Sequence, residues 1–370
     1  VTGIEVRIDY EAIRENVEAL RARSGDTPVM AVVKGDAYGH GLIETARAAR
    51  SGGAEWLGVA QPGEALALRA ADDAGRILAW LYGPEVPAAA LIEEGIDVSV
   101  SSVPVLDAIV SGAREAGRPA LLHVCVDTGL GREGVTPADL PALLDAVAIA
   151  VREGVVEPVG IWSHLAWADA PGHPTIDAQV AEFEGALAQA REAGCAFAVR
   201  HLANSAATLT RPELQYDLVR PGIAVYGLPP VPDPSGANWG LRPAMAVTTT
   251  LALVKRVPVG HGVSYGHEYV TPQETVLGLV PVGYADGVFR SAGGKMSVAI
   301  EERRYRIVGR VCMDQFVIDL GPDSTVQEGA VVTLIGPDGP TAREWAEAIG
   351  TIDYEIVCRF GGLRPKMGDA

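Results

Sequence analysis

The stretch Pro229-Pro230-Val231-Pro232-Asp233-Pro234-Ser235-Gly236 divides the sequence into two parts of different character. Four prolines in six positions remove the amide donors that regular structure needs, so the segment reads as a linker or crossing loop. Before it, short apolar runs alternate with amphipathic segments. Strands are expected at 28–34, 56–60, 77–82, 96–100, 120–127, 159–164, 198–204 and 218–226. Between them lie helix patterns: Ile13, Val17 and Leu20 after Asp9 as N-cap, and Ile176, Val180, Phe183 and Leu187 with Thr175 as cap. Thr136-Pro137 predicts another helix start. Eight strand-helix alternations predict a closed (β/α)8 barrel, with an open doubly wound sheet as the alternative.

After the proline-rich segment the runs 248–257, 275–282, 296–300, 311–320 and 331–335 are β-rich with no long helix between them. One late helix is signalled by the capping box Thr341-x-x-Glu344. The expected fold is therefore α/β: a TIM-type barrel over 1–238, followed by a mostly-β C-terminal domain over 239–370.

Composition narrows the function classes. Of the 370 residues 48% are hydrophobic and 21% charged, enough to bury a sizeable core. No run reaches the roughly 18 apolar residues of a membrane span, and the start lacks the basic and apolar regions of a secretory signal. Cys125, Cys195, Cys312 and Cys358 form no C-x-x-C pair, which argues against a zinc site and a disulfide framework. A formal charge of -17 with no basic stripe counts against nucleic acid. A cytoplasmic enzyme acting on a small molecule, with no membrane partner and no metal, is the expectation.

Ala31-Val32-Val33-Lys34-Gly35-Asp36-Ala37-Tyr38-Gly39-His40-Gly41 carries the chemistry. Parallel barrels build their sites at the carboxyl ends of strands, and a partly desolvated lysine there serves as a Schiff-base amine or proton acceptor. Tyr38 reaches toward the same mouth. His201-Leu202-Ala203-Asn204-Ser205 ends another strand at a helix start, where free amides favour an anion, although capping alone also explains Asn204 and Ser205. In Arg220-Pro221-Gly222-Ile223 the glycine lets backbone amides approach a bound group, and barrels commonly hold phosphate after strands seven and eight. Asp127-Thr128-Gly129-Leu130-Gly131-Arg132-Glu133-Gly134 contains G-x-G-x-x-G, but its helix signal comes after the third glycine, against a dinucleotide site.

From about Glu5 to Arg359 the chain resembles the alanine racemases, whose fold is a (β/α)8 barrel followed by a β domain. The resemblance implies that Lys34 links covalently to pyridoxal 5'-phosphate and acts as one of two bases. Tyr38, the His201, Asn204 and Ser205 motif, the Gly222 and Ile223 amides and Tyr354 would hold the phosphate end. Arg220 would face the pyridine nitrogen. A guanidinium is effectively always a donor, so that nitrogen would stay unprotonated and the ring a weaker electron sink. Racemisation needs a proton removed on one face and returned on the other. The second base implied is Tyr265 of Gly262-Val263-Ser264-Tyr265-Gly266, from the partner subunit of a homodimer with shared active sites, tuned by His164. Arg132, Met313 and Asp314 would meet the carboxylate of alanine, and the product D-alanine would serve peptidoglycan.

Two features depart from the family pattern. Many members carry a carbamylated lysine two residues before Asp127, and this chain has Cys125, so Arg132 needs another anion such as chloride, or is held differently. Phe360-Gly361-Gly362-Leu363 is also unusual. Alternatives are a racemase for a larger substrate such as serine, a barrel-type pyridoxal-phosphate decarboxylase, and a non-enzymatic cofactor carrier. Tyr265 with Val263-Ser264 favours the racemase over the decarboxylase, and a carrier needs no long β domain.

Overall fold

The computed structural model describes residues 3–361 and the short strand Met367–Gly368. Two compact units emerge. One comprises Glu11–Ala37 and Leu42–Arg242; the other comprises Val1–Tyr10, Tyr38–Gly41 and Pro243–Ala370. The first ten residues thus group with the C-terminal unit, unlike a simple division near 238. Strand β1 (Glu5–Ile8) pairs there with Met245–Thr250 and Met367–Gly368.

The first unit is built on a parallel sheet in sequence order: β2 (Met30–Val32), β3 (Trp56–Val59), β4 (Arg76–Ala79), β5 (Asp97–Val100), β6 (Ala120–Cys125), β7 (Val156–Trp162) and β8 (Val199–His201). These strands are covered on both faces, so they read as continuous apolar runs; every residue of Trp56–Val59 and of Asp97–Val100 is buried. Met30, Trp56, Leu78, Val159 and Leu218 pack into a core cluster.

The eighth strand is shorter than the expected 218–226. Val219 bridges Val29 on one side and Arg220 bridges Asn204 on the other. The amides of Met30 and Arg220 donate to the carbonyls of Val219 and Ala203 at 2.8 and 2.9 Å. Those bridges close the barrel, and the ladder ends at Pro221, whose carbonyl accepts from Val32 at 2.9 Å but which has no amide hydrogen to donate back. Ile223–Tyr226 then forms a 3-10 turn, not strand.

Two helix starts move. Thr136-Pro137 makes a turn, and the helix opens later, at Leu140–Arg152. The helix Pro174–Glu192 is capped by His173, whose ring accepts from the Thr175 amide at 3.3 Å, so Thr175 lies inside it. On its buried face Gln179 takes the place expected for Val180. The helix Tyr10–Ser24 buries Ile13, Val17 and Leu20 as its spacing predicts.

The second unit carries β9 (Met245–Thr250), β10 (Leu253–Val257), β11 (Gly262–Val263), β12 (Tyr269–Val270), β13 (Thr275–Val280), β14 (Ser297–Ile300), β15 (Arg303–Val308), β16 (Phe316–Gly321), β17 (Val331–Ile335) and β18 (Met367–Gly368). Its large sheet runs β10-β13-β16-β15-β14-β17-β9-β1-β18. Here burial alternates residue by residue along β9 and β16, the mark of a sheet covered on one face. The 311–320 run is strand only from Phe316; 311–315 is a loop. Thr341 caps Ala342–Ile349 as predicted, accepting from the Glu344 amide at 3.1 Å. A further helix, Asp353–Gly361, was not signalled. Gly362 and Leu363 lie outside the described residues.

Candidate active site

Lys34 follows β2 and opens a turn of unusual hand. Gly35, Asp36, Ala37 and Tyr38 have φ of 63°, 52°, 54° and 53°, a left-handed turn in which only one residue is glycine. Each non-glycine residue there costs roughly 1–2 kcal/mol, so the surroundings must hold it. Glu64 does much of this. Its Oε1 accepts from the amides of Gly35 at 2.6 Å and Asp36 at 3.4 Å, and its Oε2 from those of Ala60 and Gln61 at 3.1 and 3.0 Å. The Ala37 amide bonds the Val33 carbonyl at 2.8 Å, and Asp36 Oδ1 accepts from Leu42 at 2.8 Å. Lys34 is half-buried, its Nζ 5.8 Å from the centre of the Trp80 ring.

Arg220 sits at the end of the closing strand, 5% exposed. Its Nη2 donates to the Ser163 carbonyl at 2.7 Å and lies 3.4 Å from His164 Nδ1; its Nη1 lies 3.2 Å from His201 Nδ1. The guanidinium stacks over Trp162, 4.8 Å from the ring centre. Burial pushes it down to about 10, so it remains a cation at neutral pH. Its Nε takes part in none of the hydrogen bonds among the described residues. That leaves one charged donor for a ligand.

His164 is held well below the ordinary imidazole range, first by burial and then by the charges of Arg220, Arg132 and Lys34. Three cations thus converge on one neutral histidine, a setting that favours an anionic ligand. The loop bearing His164 is pinned by Gln179, whose Nε2 donates to the His164 carbonyl at 2.9 Å and to Thr128 Oγ1 at 3.1 Å. His201, expected at the cofactor, lies behind Arg220: fully buried, stacked on Trp162 at 5.7 Å and neutral, because burial, Arg220 and His123 all lower it.

Beside Arg220, Ser205 Oγ accepts from the amides of Gly222 at 2.8 Å and Ala224 at 3.3 Å. The Ile223 amide donates to no acceptor among the described residues. Asn204 caps the short helix, its Oδ1 accepting from Ala207 at 3.2 Å. The glycine-rich loop 127–134 is not a phosphate cradle. Asp127 Oδ1 already gathers the amides of Gly129, Leu130 and Gly131 at 2.9, 3.0 and 3.1 Å. Arg132 is paired with its neighbour Glu133, Nε to Oε2 at 3.1 Å and Nη2 to Oε1 at 2.6 Å. Cys125 is buried and its thiol is pushed up, mainly by burial, so it offers no anion.

The second unit, taken by itself, has its own candidate groups. Tyr38 and Tyr354 face each other with ring centres 5.9 Å apart. Behind them Gly39 and Gly361 meet so closely that a Cβ on Gly361 would lie 2.0 Å from the Gly39 Cα. Tyr265 stands 71% exposed on a 3-10 turn entered through Ser264, whose φ is 61°. Ser264 Oγ donates to the Arg310 carbonyl at 2.7 Å and lies 3.4 Å from Cys312 Sγ. This joins the Tyr265 turn to the loop bearing Met313 and Asp314, both exposed. The amides of Tyr284 and Ala285 bond the carbonyls of Cys312 and Met313 at 3.1 and 2.9 Å.

Sequence reading missed Glu64, Trp80, Glu133, Gln179, Asp97 and His123. For Asp97 and His123 a signal existed: each interrupts an apolar run that a barrel buries on both sides.

A barrel strand ending in lysine, an anion-favouring cluster and a β unit presenting an exposed tyrosine define a small-molecule enzyme. Comparisons agree. The description "Alanine racemase, N-terminal domain" matches residues 8–230, and "Alanine racemase, C-terminal domain" matches 244–367. An alanine racemase of Salinispora tropica is 54% identical, over 97% of this chain and 96% of the relative. One of Streptomyces coelicolor is 51% identical, over 99% and 96%. The crystal structure of alanine racemase from Streptomyces lavendulae superposes with a TM-score of 0.96 at 51% identity, covering 100% of this chain and 98% of that one. The chain belongs to the alanine racemase family.

Proposed function

We propose that the protein interconverts L- and D-alanine with pyridoxal phosphate as cofactor, in a homodimer whose partner completes each site. The observation that carries this reading is the buried Arg220, held by Ser163, His164 and His201 with its Nε outside those bonds, together with the half-buried Lys34 that follows its strand. These groups fit the cofactor: an amine for its aldehyde, a donor for its ring nitrogen, and the Ile223 amide, the Ser205–Gly222 pair, Tyr38 and Tyr354 for its phosphate. When bound, the cofactor supplies the electron sink that acidifies the α-hydrogen of the amino acid.

The chain's own residues then divide the work. Lys34 Nζ takes or returns a proton on one face, and the phenol of the partner subunit's Tyr265 does so on the other. Free tyrosine titrates near about 10, so neighbouring cations must make its phenolate accessible. His164 would tune that phenol as a neutral imidazole, kept so by burial and by the charges of Arg220, Arg132 and Lys34. Arg132, held by Glu133, orients the substrate carboxylate, with Met313 and Asp314 of the partner subunit beside it. Arg220 would hold the ring nitrogen and, as an obligatory donor, would leave it unprotonated, which would restrain side reactions. Ile223 keeps a place at the phosphate edge through its position next to Gly222; Asn204 and His201 act from behind.

The dimer is supported by the exposure of Tyr265, Met313 and Tyr284, at 71%, 54% and 37%, on adjoining loops. Four free cysteines and no helix among the described residues long and apolar enough to cross a membrane support a cytoplasmic site. There it would supply D-alanine to peptidoglycan. The test is a coupled D-alanine assay with the purified protein and its visible absorbance. Alanine turnover with a cofactor band that disappears in Lys34→Ala supports the reading; a colourless protein, or turnover that prefers serine, overturns it.

A further inference from the structure

Behind Arg220 the barrel unit holds a row of buried polar groups with no part in the proposed proton transfers. Arg76 on β4 makes a forked ion pair with Asp97 on β5, Nε to Oδ2 at 2.9 Å and Nη2 to Oδ1. Asp97 Oδ1 lies 3.2 Å from Nε2 of His123 on β6. Nδ1 of His123 lies 2.9 Å from Nε2 of His201 on β8, and Nδ1 of His201 lies 3.2 Å from Arg220 Nη1. Asp97, His123 and His201 are each 0% exposed.

The row crosses β7 at a residue with no side chain. Gly160 pairs with His123 on one side and Val199 on the other, and a Cβ there would lie 2.2 Å from His123 Nδ1. Glycine on the middle strand is what lets imidazoles on β6 and β8 meet.

The hydrogen-bond sense of the row follows from its ends. A guanidinium can only donate, so Nδ1 of His201 accepts from Arg220 and the His201 proton lies on Nε2. Nδ1 of His123 must then accept from His201, which leaves the His123 proton on Nε2, facing Asp97. A carboxylate can only accept, so both ends demand the same sense. Burial makes a reversed or unpaired member costly.

We propose that Asp97 and His123 are positioning residues for Arg220: the carboxylate, fixed by Arg76, sets the tautomer of both imidazoles and thereby the orientation of the guanidinium. This rests on the proposed role of Arg220 at the cofactor ring, but the tautomers are a property of the chain alone.

Oδ1 of Asp97 serves both Arg76 Nη2 and His123 Nε2, while Oδ2 serves Arg76 Nε alone. In Asp97→Asn an amide oxygen at the Oδ1 place keeps the acceptor for His123, and its NH2 breaks only the bond to Arg76 Nε. Asp97→Leu removes the acceptor altogether and leaves His123 Nε2 buried without a partner. The measurement is nitrogen NMR of the full-length enzyme labelled at histidine, with kcat/KM for alanine on the same samples. In the wild type His123 and His201 are expected to carry one proton each, on Nε2. In Asp97→Asn both tautomers and most of the rate are expected to be kept, whereas in Asp97→Leu His123 gains a population protonated on Nδ1 and kcat/KM falls about tenfold or more. A merely structural ion pair would lose as much in Asp97→Asn as in Asp97→Leu. A wild-type His201 protonated on Nδ1 overturns the proposal even if the variants do not fold. So do unchanged tautomers and rate in Asp97→Leu. An inactive, colourless wild type would instead count against the cofactor reading and leave the tautomer result standing.

Discussion

Nη1 of Arg220 lies 3.2 Å from Nδ1 of His201, so a buried guanidinium rests on a neutral imidazole and not on a carboxylate. This pairing leaves the arginine positively charged, with Nε in none of the hydrogen bonds among the described residues.

Replacing Arg220 by lysine keeps a charge but loses the planar fork that bonds Ser163, His201 and His164 together. Steady-state kinetics of Arg220→Lys should show kcat/KM for alanine reduced about 100-fold or more, the usual loss for a donor aimed at developing charge. Arg220→Glu should in addition protonate the ring and add absorbance at longer wavelength during turnover. An unchanged spectrum would count against the placement of this arginine at the ring nitrogen.

His164 and His201 are both held well below the imidazole range in the folded protein. Below the unfolded value of about 6.5, the unfolded chain binds protons that the folded one refuses. Their contribution to stability is therefore full above that pH and is lost as pH falls below it. Urea midpoints should drop between about pH 7.5 and pH 5.5, and drop less in His164→Gln. A variant whose midpoint falls just as far would show that His164 is not part of the effect.

The left-handed turn after Lys34 should be sensitive to backbone and not to space. A Cβ on Gly35 meets nothing within 4 Å, yet φ is +63°, so Gly35→Ala should cost roughly 1–2 kcal/mol from conformation alone. Gly39→Ala should cost more, because its Cβ would also lie 2.8 Å from the Val357 carbonyl. Glu64→Gln should weaken the same turn by removing the charge that four amides share. Thermal unfolding orders the three variants; equal melting for Gly35→Ala and Gly39→Ala would contradict the close approach at Gly361.

Arg132 is held by Glu133, which answers the need created by Cys125. The wild type should be insensitive to chloride. Glu133→Ala should raise KM for alanine several-fold, with kcat changed less, because the pair orients substrate more than it stabilises developing charge. Added chloride should restore part of that loss. A wild-type rate that rises with chloride would show that an ion, not Glu133, supplies the charge.

The barrel was legible because strands buried on both faces leave continuous apolar runs, and the β unit because its strands alternate. Boundaries shifted where one residue overrides the pattern: Pro221 ends the eighth strand early, and His173 supplants Thr175 as a cap. The grouping of Glu5–Ile8 with the C-terminal sheet was hidden, since a four-residue strand does not record which sheet it joins. Lys34, Arg220 and Ser205 were legible as candidates because their motifs fall at strand ends, where the structure has them. Glu64, Gln179 and Glu133 were not, because each acts through bonds to backbone or a neighbouring side chain that spacing does not reveal. The motif of His201 does not record that its ring turns inward to Arg220.

The two-base assignment of Lys34 and Tyr265 is tested most directly by exchange of the α-hydrogen with solvent deuterium in Tyr265→Phe, measured separately from L- and D-alanine. Loss of exchange from L-alanine, with exchange from D-alanine largely retained, is the predicted result. Equal residual exchange from both enantiomers would contradict it.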